Sequence, residues 1–256
     1  MAKVPVKSQR EIALMRESGR IVAEALALVG GHVRPGVSTR ELDALAEEFI
    51  RSQGGIPAFK GYGPDRRNAF PATLCVSIDD VVVHGIPDGR RLEEGEIVSV
   101  DVGVKKNGWF GDGAKTFPVG RINEEKARLL KVTEEALEKG IAQARAGNKL
   151  HDVSSAVQRH VEAAGYAVVR DLVGHGIGKN LHEDPAVPNF GVPGTGVLLR
   201  EDMTLAIEPM VNAGTFAVRL DEDGWTVRTA DGRPSAHFEH TVAITQGEAE
   251  ILTRHG

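Results

Sequence analysis

The sequence predicts an α/β (α+β) domain built of two related halves, each a pair of helices followed by strands. Three observations carry this. First, helix patterns recur without a gap: a shift of 111 residues aligns Ile21–Leu26 with Val132–Leu137, and Gly54 with Gly165. Second, LEEGEIVSVD (Leu92–Asp101) echoes LREDMTLAIE (Leu199–Glu208). Third, both of those segments end an apolar, strand-like run on an acid. The period is too long for a solenoid. Neither half holds a complete set of candidate functional residues, so one fused domain over 1–256 is expected, with repeats at roughly 8–117 and 123–245.

The elements follow in order. Ser8 and Glu11 form a capping box ahead of Ile12, Met15, Val22, Leu26 and Val29 at helical spacing, and Gly30-Gly31 stops that helix. Ser38 and Glu41 form a second box, with Leu42, Leu45, Phe49 and Ile50 on one face and Gly54-Gly55 as the stop. Helices are expected again over 124–144 and 150–164. Residues 60–71 are rich in charge and turn formers and read as a loop, as does the stretch 189–196. Along Ile97–Val104 the valines take one face, while Ser99, Asp101 and Gly103 take the other. Asn107-Gly108 supplies hairpin turn chemistry. A two-residue loop there sets Asp101 and Asp112 diagonally; a four-residue loop sets them opposite. In the second half Glu208 shares a face with Thr204 and Ala206, and Glu239 with Thr241 and Ala243.

Bulk properties exclude several classes. The chain has 256 residues, 41% hydrophobic and 26% charged, and a formal charge of −5. No basic stripe marks a nucleic-acid surface. No apolar run is long enough for a membrane span, and the first residues lack a signal peptide's apolar region. One cysteine, Cys75, allows no internal disulfide and fits a reducing compartment. A cytoplasmic protein is expected.

Asp101, Asp112, Glu208 and Glu239 lie in strand-like apolar runs. Carboxylates are rarely buried unless paired or metal-bound. With His175 from GHGIG they make four carboxylates and one imidazole, the ligand set of a two-metal hydrolytic site. One divalent ion leaves excess negative charge; two nearly balance four carboxylates and a hydroxide. His84, His175 and His182 stand in loops beside glycine, proline or acid. His32, His151, His160, His237 and His255 read as solvated or ordinary packing residues. Cys75 reads as a small packing residue or pocket wall, and Trp225 as hairpin packing or a pocket wall.

Six ordered motifs then give a resemblance. VVHGIP (Val82–Pro87), DVGVKKNGWFGD (Asp101–Asp112), GHGIGKNLHEDP (Gly174–Pro185), IEPMVNAG (Ile207–Gly214), DGWTV (Asp223–Val227) and FEHTV (Phe238–Val242) resemble a type I methionine aminopeptidase in its short bacterial form. The resemblance implies the pita-bread fold: an antiparallel sheet of two pseudo-symmetric halves, with helices on the outer face. It implies two divalent ions, Co, Mn, Fe or Zn. Asp101 would chelate one, His175 with Glu208 the other, and Asp112 and Glu239 both. His182 would contact the scissile carbonyl, and His84 the backbone beyond it. Glu208 would also relay a proton. Phe70, Cys75, Leu181 and Trp225 would line the methionine pocket. Leu181 stands where the family commonly has an aromatic and Phe70 where it has a tyrosine, and the 60–69 loop is longer than usual. The implied reaction is attack of a metal-bridging hydroxide on the first peptide bond, removing methionine when the second residue is small. The implied partners are the N-termini of nascent polypeptides, with a transient ribosome contact left open. A monomer is expected, with no membrane and no specific nucleic acid. A prolidase shares the ligands but usually adds an N-terminal domain. A creatinase-like enzyme or a non-catalytic relative would have lost ligands.

Overall fold

Capping and hydrophobic spacing place four helices as expected in a computed structural model that describes residues 4–63 and 68–254. Residues 64–67, inside the expected 60–71 loop, lie outside the described residues, and so does His255. The chain runs α1 (Gln9–Gly30), α2 (Thr39–Ser52), β1 (Ile56–Pro57), β2 (Leu74–Ile78), β3 (Val81–Val83), β4 (Ile97–Lys106) and β5 (Trp109–Pro118). It continues with α3 (Glu124–Gln143), α4 (Leu150–Ala163), β6 (Ala167–Val168), β7 (Gly174–Gly176), β8 (Glu183–Val187) and β9 (Thr204–Ile207). Last come β10 (Met210–Asn212), β11 (Val218–Leu220), β12 (Val227–Thr229), β13 (Ser235–His237), β14 (Glu239–Ala243) and β15 (Glu250–Ile251).

Both capping boxes form. The Glu11 carboxylate accepts from the Ser8 amide at 2.7 Å, and Glu41 does the same for Ser38 at 2.7 Å. Helix α3 has a cap the sequence reading did not use: Asn123 accepts from the Lys126 amide at 2.8 Å.

The main sheet runs β1-β4-β5-β14-β9-β7-β8, with β2 also on β4 and β15 on β14. Each of these pairings is antiparallel. Strands β4 and β5 meet at a two-residue turn, with Asn107 and Gly108 at φ 51° and 83°. The diagonal alternative therefore holds: Asp112 faces Gly103, and Asp101 faces Ala114.

Alternation decides the layers. Val98, Val100, Val102 and Val104 are fully buried against Val22 and Ala25 of α1 and Leu42, Ala46 and Ile50 of α2. Met203, Leu205, Ile207, Val242 and Ile244 meet Leu129, Val132 and Ala136 of α3 and Val153 and Val157 of α4. Each such side chain contributes roughly 1.5–3 kcal/mol by leaving water. All four helices thus cover one face of the sheet, and the acids project from the other.

A local two-fold axis crosses the central β5–β14 pair. Glu239 faces Ala114 there, and His240 faces Gly113. The ladder is closed at each end by a threonine. Thr241 Oγ1 donates to the Asp112 carbonyl at 2.8 Å and accepts from its amide at 3.0 Å. Thr116 Oγ1 donates to the His237 carbonyl at 2.8 Å and accepts from its amide at 2.9 Å. This symmetry sets how far the two halves match. Asp101 and Glu208 are equivalent, as the LEEGEIVSVD echo implies. Asp112 and Glu239 are not: the counterpart of Asp112 is His237, and that of Glu239 is Ala114. The divergence lies in side chains, which a helix-and-strand repeat does not constrain.

Candidate metal centre

Five successive strands each deliver one candidate ligand to the open face. Across β4, β5, β14, β9 and β7 these are Asp101, Asp112, Glu239, Glu208 (one residue past the end of β9) and His175. The flanking glycines explain the position of His175. A Cβ on Gly174 would strike the Ala206 carbonyl, and one on Gly176 the Asp184 carbonyl, so β7 lies closer to its neighbours than a side chain permits. His175 Nδ1 bonds the Gly176 carbonyl at 2.9 Å, which leaves Nε2 as the free ligand atom.

Asp112, His175 and Glu239 are buried, and each offers a ligand atom within 4.8 Å of the others'. His175 Nε2 stands 3.6 Å from Glu208 Oε1 and 3.9 Å from Asp112 Oδ2. Among the described residues the ion-pair partners of these acids are imidazoles, with no lysine or arginine. Burial raises all four carboxyls. It pushes Asp112 up to about 7. Asp101 is raised further by the charges of Asp112 and Glu208, Glu208 by Asp112, and Glu239 by Asp112, Glu208 and Asp101. Burial depresses His175 to about 3, so its imidazole is neutral, the form that binds metal.

Two oxygens test whether a metal fits. Asp101 Oδ1 and Glu239 Oε1 are buried without a hydrogen-bond partner. A lone buried acceptor of this kind costs about 1–3 kcal/mol. Two of them, beside two more acids and a free imidazole nitrogen, form a hard-donor set that a divalent cation satisfies. The residues fit.

The other sequence-predicted residues gather on the same side. Phe70, Cys75 and Leu181 share one buried apolar cluster with Phe59 and Ile177, and Trp225 packs against it. Phe70 and Trp225 meet edge to face at 5.3 Å. His182 is exposed, its ring 4.2 Å from that of His175. His84 is half-buried in a left-handed conformation (φ 59°), and burial lowers its pKa to about 4.

Sequence reasoning missed three features. Tyr62 Oη is 2.6 Å from His182 Nδ1; its only signal was an aromatic between two glycines. Asn189 is buried and donates to the Glu208 carbonyl at 2.9 Å. His237, expected as a solvated or packing histidine, is 2% exposed with Nε2 unpartnered and 3.9 Å from Glu208 Oε2. Its burial fits the packing alternative and excludes the solvated one; alternation in a three-residue strand does not say which face is occupied.

Four acids and an imidazole on the open face of an antiparallel sheet, with no lysine or arginine paired to the acids among the described residues, fit a metal-dependent hydrolase. Residues 13–246 match metallopeptidase family M24, and the chain belongs to that family. It is 51% identical over 248 residues to methionine aminopeptidase 1 of Bacillus subtilis (strain 168), covering 97% of this chain and 98% of that one. The solved methionine aminopeptidase of Thermotoga maritima superposes with a TM-score of 0.95 at 46% identity, covering 99% of this chain and all of that one. A prolidase from Pyrococcus horikoshii OT3 shares the fold at a TM-score of 0.77 and 22% identity, and this chain spans 64% of it. The fold is the pita-bread fold, and the methionine aminopeptidase resemblance seen in six motifs extends over the whole chain.

Proposed function

We propose that this chain removes the N-terminal methionine from nascent proteins when the second residue is small. One observation carries the reading: four carboxylates and a neutral imidazole, Asp112, Glu239 and His175 buried and Asp101 and Glu208 partly so, with no lysine or arginine paired to the acids among the described residues, in a chain that matches methionine aminopeptidases end to end. The whole chain acts as one catalytic unit in this reading, in the cytoplasm.

Asp101, Asp112, His175, Glu208 and Glu239 would hold two divalent ions. In this reading Asp101 would serve one, His175 and Glu208 the other, and Asp112 and Glu239 would serve both. Such ions polarise a carbonyl and lower the pKa of water toward neutrality. Manganese, iron, cobalt and zinc all accept this donor set.

The protein's own groups bind and orient. Phe70, Cys75, Leu181 and Trp225 form an apolar wall suited to a long, polarisable thioether. Leu181 is smaller than an aromatic, so norleucine-like first residues fit as well. His182, whose pKa is lowered from 6.5 by partial desolvation of its ring beside His175, donates as a neutral imidazole to the scissile carbonyl oxygen. His84 bonds the backbone beyond that carbonyl. Glu208 would take a proton from the attacking water and relay it to the departing amine.

The test is Met-Ala-Ser against Xaa-Pro peptides with each metal. Cleavage of Met-Ala, Met-Gly and Met-Ser, with little of Met-Lys or Met-Phe, is expected. A preference for Xaa-Pro would overturn the reading in favour of a prolidase.

A further inference from the structure

His237 has no part in the five-residue set, yet its surroundings are not those of a packing residue. It is 2% exposed, and its Nε2 is buried with no partner. Leucine or methionine would fill the same space without stranding a polar atom, which costs about 1–3 kcal/mol. The ring aims at a carboxylate: Nε2 is 3.9 Å from Glu208 Oε2. On the other side His175 Nε2 is 3.6 Å from Glu208 Oε1. Glu208 is therefore bracketed by two imidazoles, one to each oxygen.

The backbone aims this ring deliberately. Thr116 Oγ1 holds both the amide and the carbonyl of His237, at 2.9 and 2.8 Å. Thr241 holds Asp112 in the same way. His237 thus occupies in the second half the place that Asp112 occupies in the first. Asp112 presses on Asp101 in its half; His237 faces Glu208, the counterpart of Asp101, in the other.

We propose that His237 is a positioning residue for Glu208, its Nε2–H holding Oε2 so that Oε1 stays turned toward His175. The proposal rests on the metal-site reading above. A hydrogen bond requires the gap to close by about 1 Å, which rotation of the Glu208 side chain supplies. Partners that orient a ligating carboxylate affect metal affinity by about 10–100-fold.

The experiment is calorimetric titration of Mn²⁺ into chelator-stripped protein, with wild type, His237→Met, His237→Gln and His237→Asn compared. His237→Met fills the space without a donor, and should weaken one ion about 10–100-fold. His237→Gln keeps an N–H at similar reach and should stay close to wild type. His237→Asn has the donor on a shorter arm and should behave as Met does. Metal-free melting identifies any variant that fails to fold. If His237→Met fails, the Gln–Asn contrast decides: equal affinities overturn the proposal. Wild-type affinity in a folded His237→Met overturns it, and so does a Gln variant as weak as Met. Wild type that takes up no Mn²⁺ would overturn the metal site and the proposal together. Equal uptake by wild type and His237→Met overturns this proposal alone.

Discussion

Tyr62 sets what His182 can offer. Tyr62 Oη and His182 Nδ1 are 2.6 Å apart; when the phenol is the donor, the proton of the neutral imidazole sits on Nε2, the donor that a carbonyl oxygen needs. Removing the hydroxyl frees the ring without touching the acids. Tyr62→Phe should lower kcat/KM about fivefold, the equivalent of one ordinary hydrogen bond of about 1 kcal/mol. Metal content measured by elemental analysis should not change; full activity in Tyr62→Phe would show the bond to be incidental. The acids should separate by position. Asp112 and Glu239 lie on the two central strands, so Asp112→Ala should disrupt both ions. His175, on an outer strand, should affect mainly one. Two-ion binding retained by Asp112→Ala in a calorimetric titration would refute this division.

At the level of elements, the central strands are held together at the site by side chains as well as backbone. The Thr241 hydroxyl stands where the β5–β14 ladder would otherwise continue, and it satisfies both polar groups of the Asp112 backbone. Thr241→Val strands two buried groups, at about 1–3 kcal/mol each. It should lower the melting temperature and weaken metal binding together, and Thr241→Ser should restore both. A Val variant that melts like wild type would mean the strands re-pair by backbone alone. These threonines also mark where sequence reading stopped. Helices were legible because Ser8, Ser38 and the glycines after α2 and α4 act through local chemistry: Gly54 and Gly165 take φ 70° and 82°. The acids were legible because a charge inside an apolar run has few explanations. Tyr62, Thr116, Thr241 and His237 act across long sequence separations, and nothing in their neighbours encodes the partner. The Asp112–His237 equivalence was hidden for the same reason, since a repeat preserves strands while ligands diverge.

For the whole molecule, the cluster makes stability depend on pH and metal in a linked way. Without metal, burial holds Asp101, Asp112, Glu208 and Glu239 above their ordinary values of 3.8 and 4.5, and the charges of neighbouring acids raise all but Asp112 further. From about pH 4 upward, the folded state keeps protons that the unfolded chain has released, so this contribution falls as pH rises. His84, His175, His237 and His240 act in the opposite sense. Their values of about 4, 3, 3 and 4 lie below the ordinary 6.5, so the unfolded chain holds protons there that the folded state does not. That contribution rises with pH up to about 6.5 and is then complete. The two oppose one another below about 6.5, and above it only the carboxylates remain, Asp112 near 7 and the other three also raised. The chelated protein should therefore melt at a lower temperature at pH 8 than at pH 7. Metal reverses the trend, because the ligands bind only when deprotonated and bound metal stabilises the folded state by mass action. With saturating Mn²⁺ the melting temperature should hold or climb over the same interval. Calorimetric scans at pH 6.5, 7 and 8, with chelator and with Mn²⁺, measure both slopes. A chelated protein as stable at pH 8 as at pH 7, with no gain from Mn²⁺, would mean that these carboxylates are not held together as a buried, unpaired set.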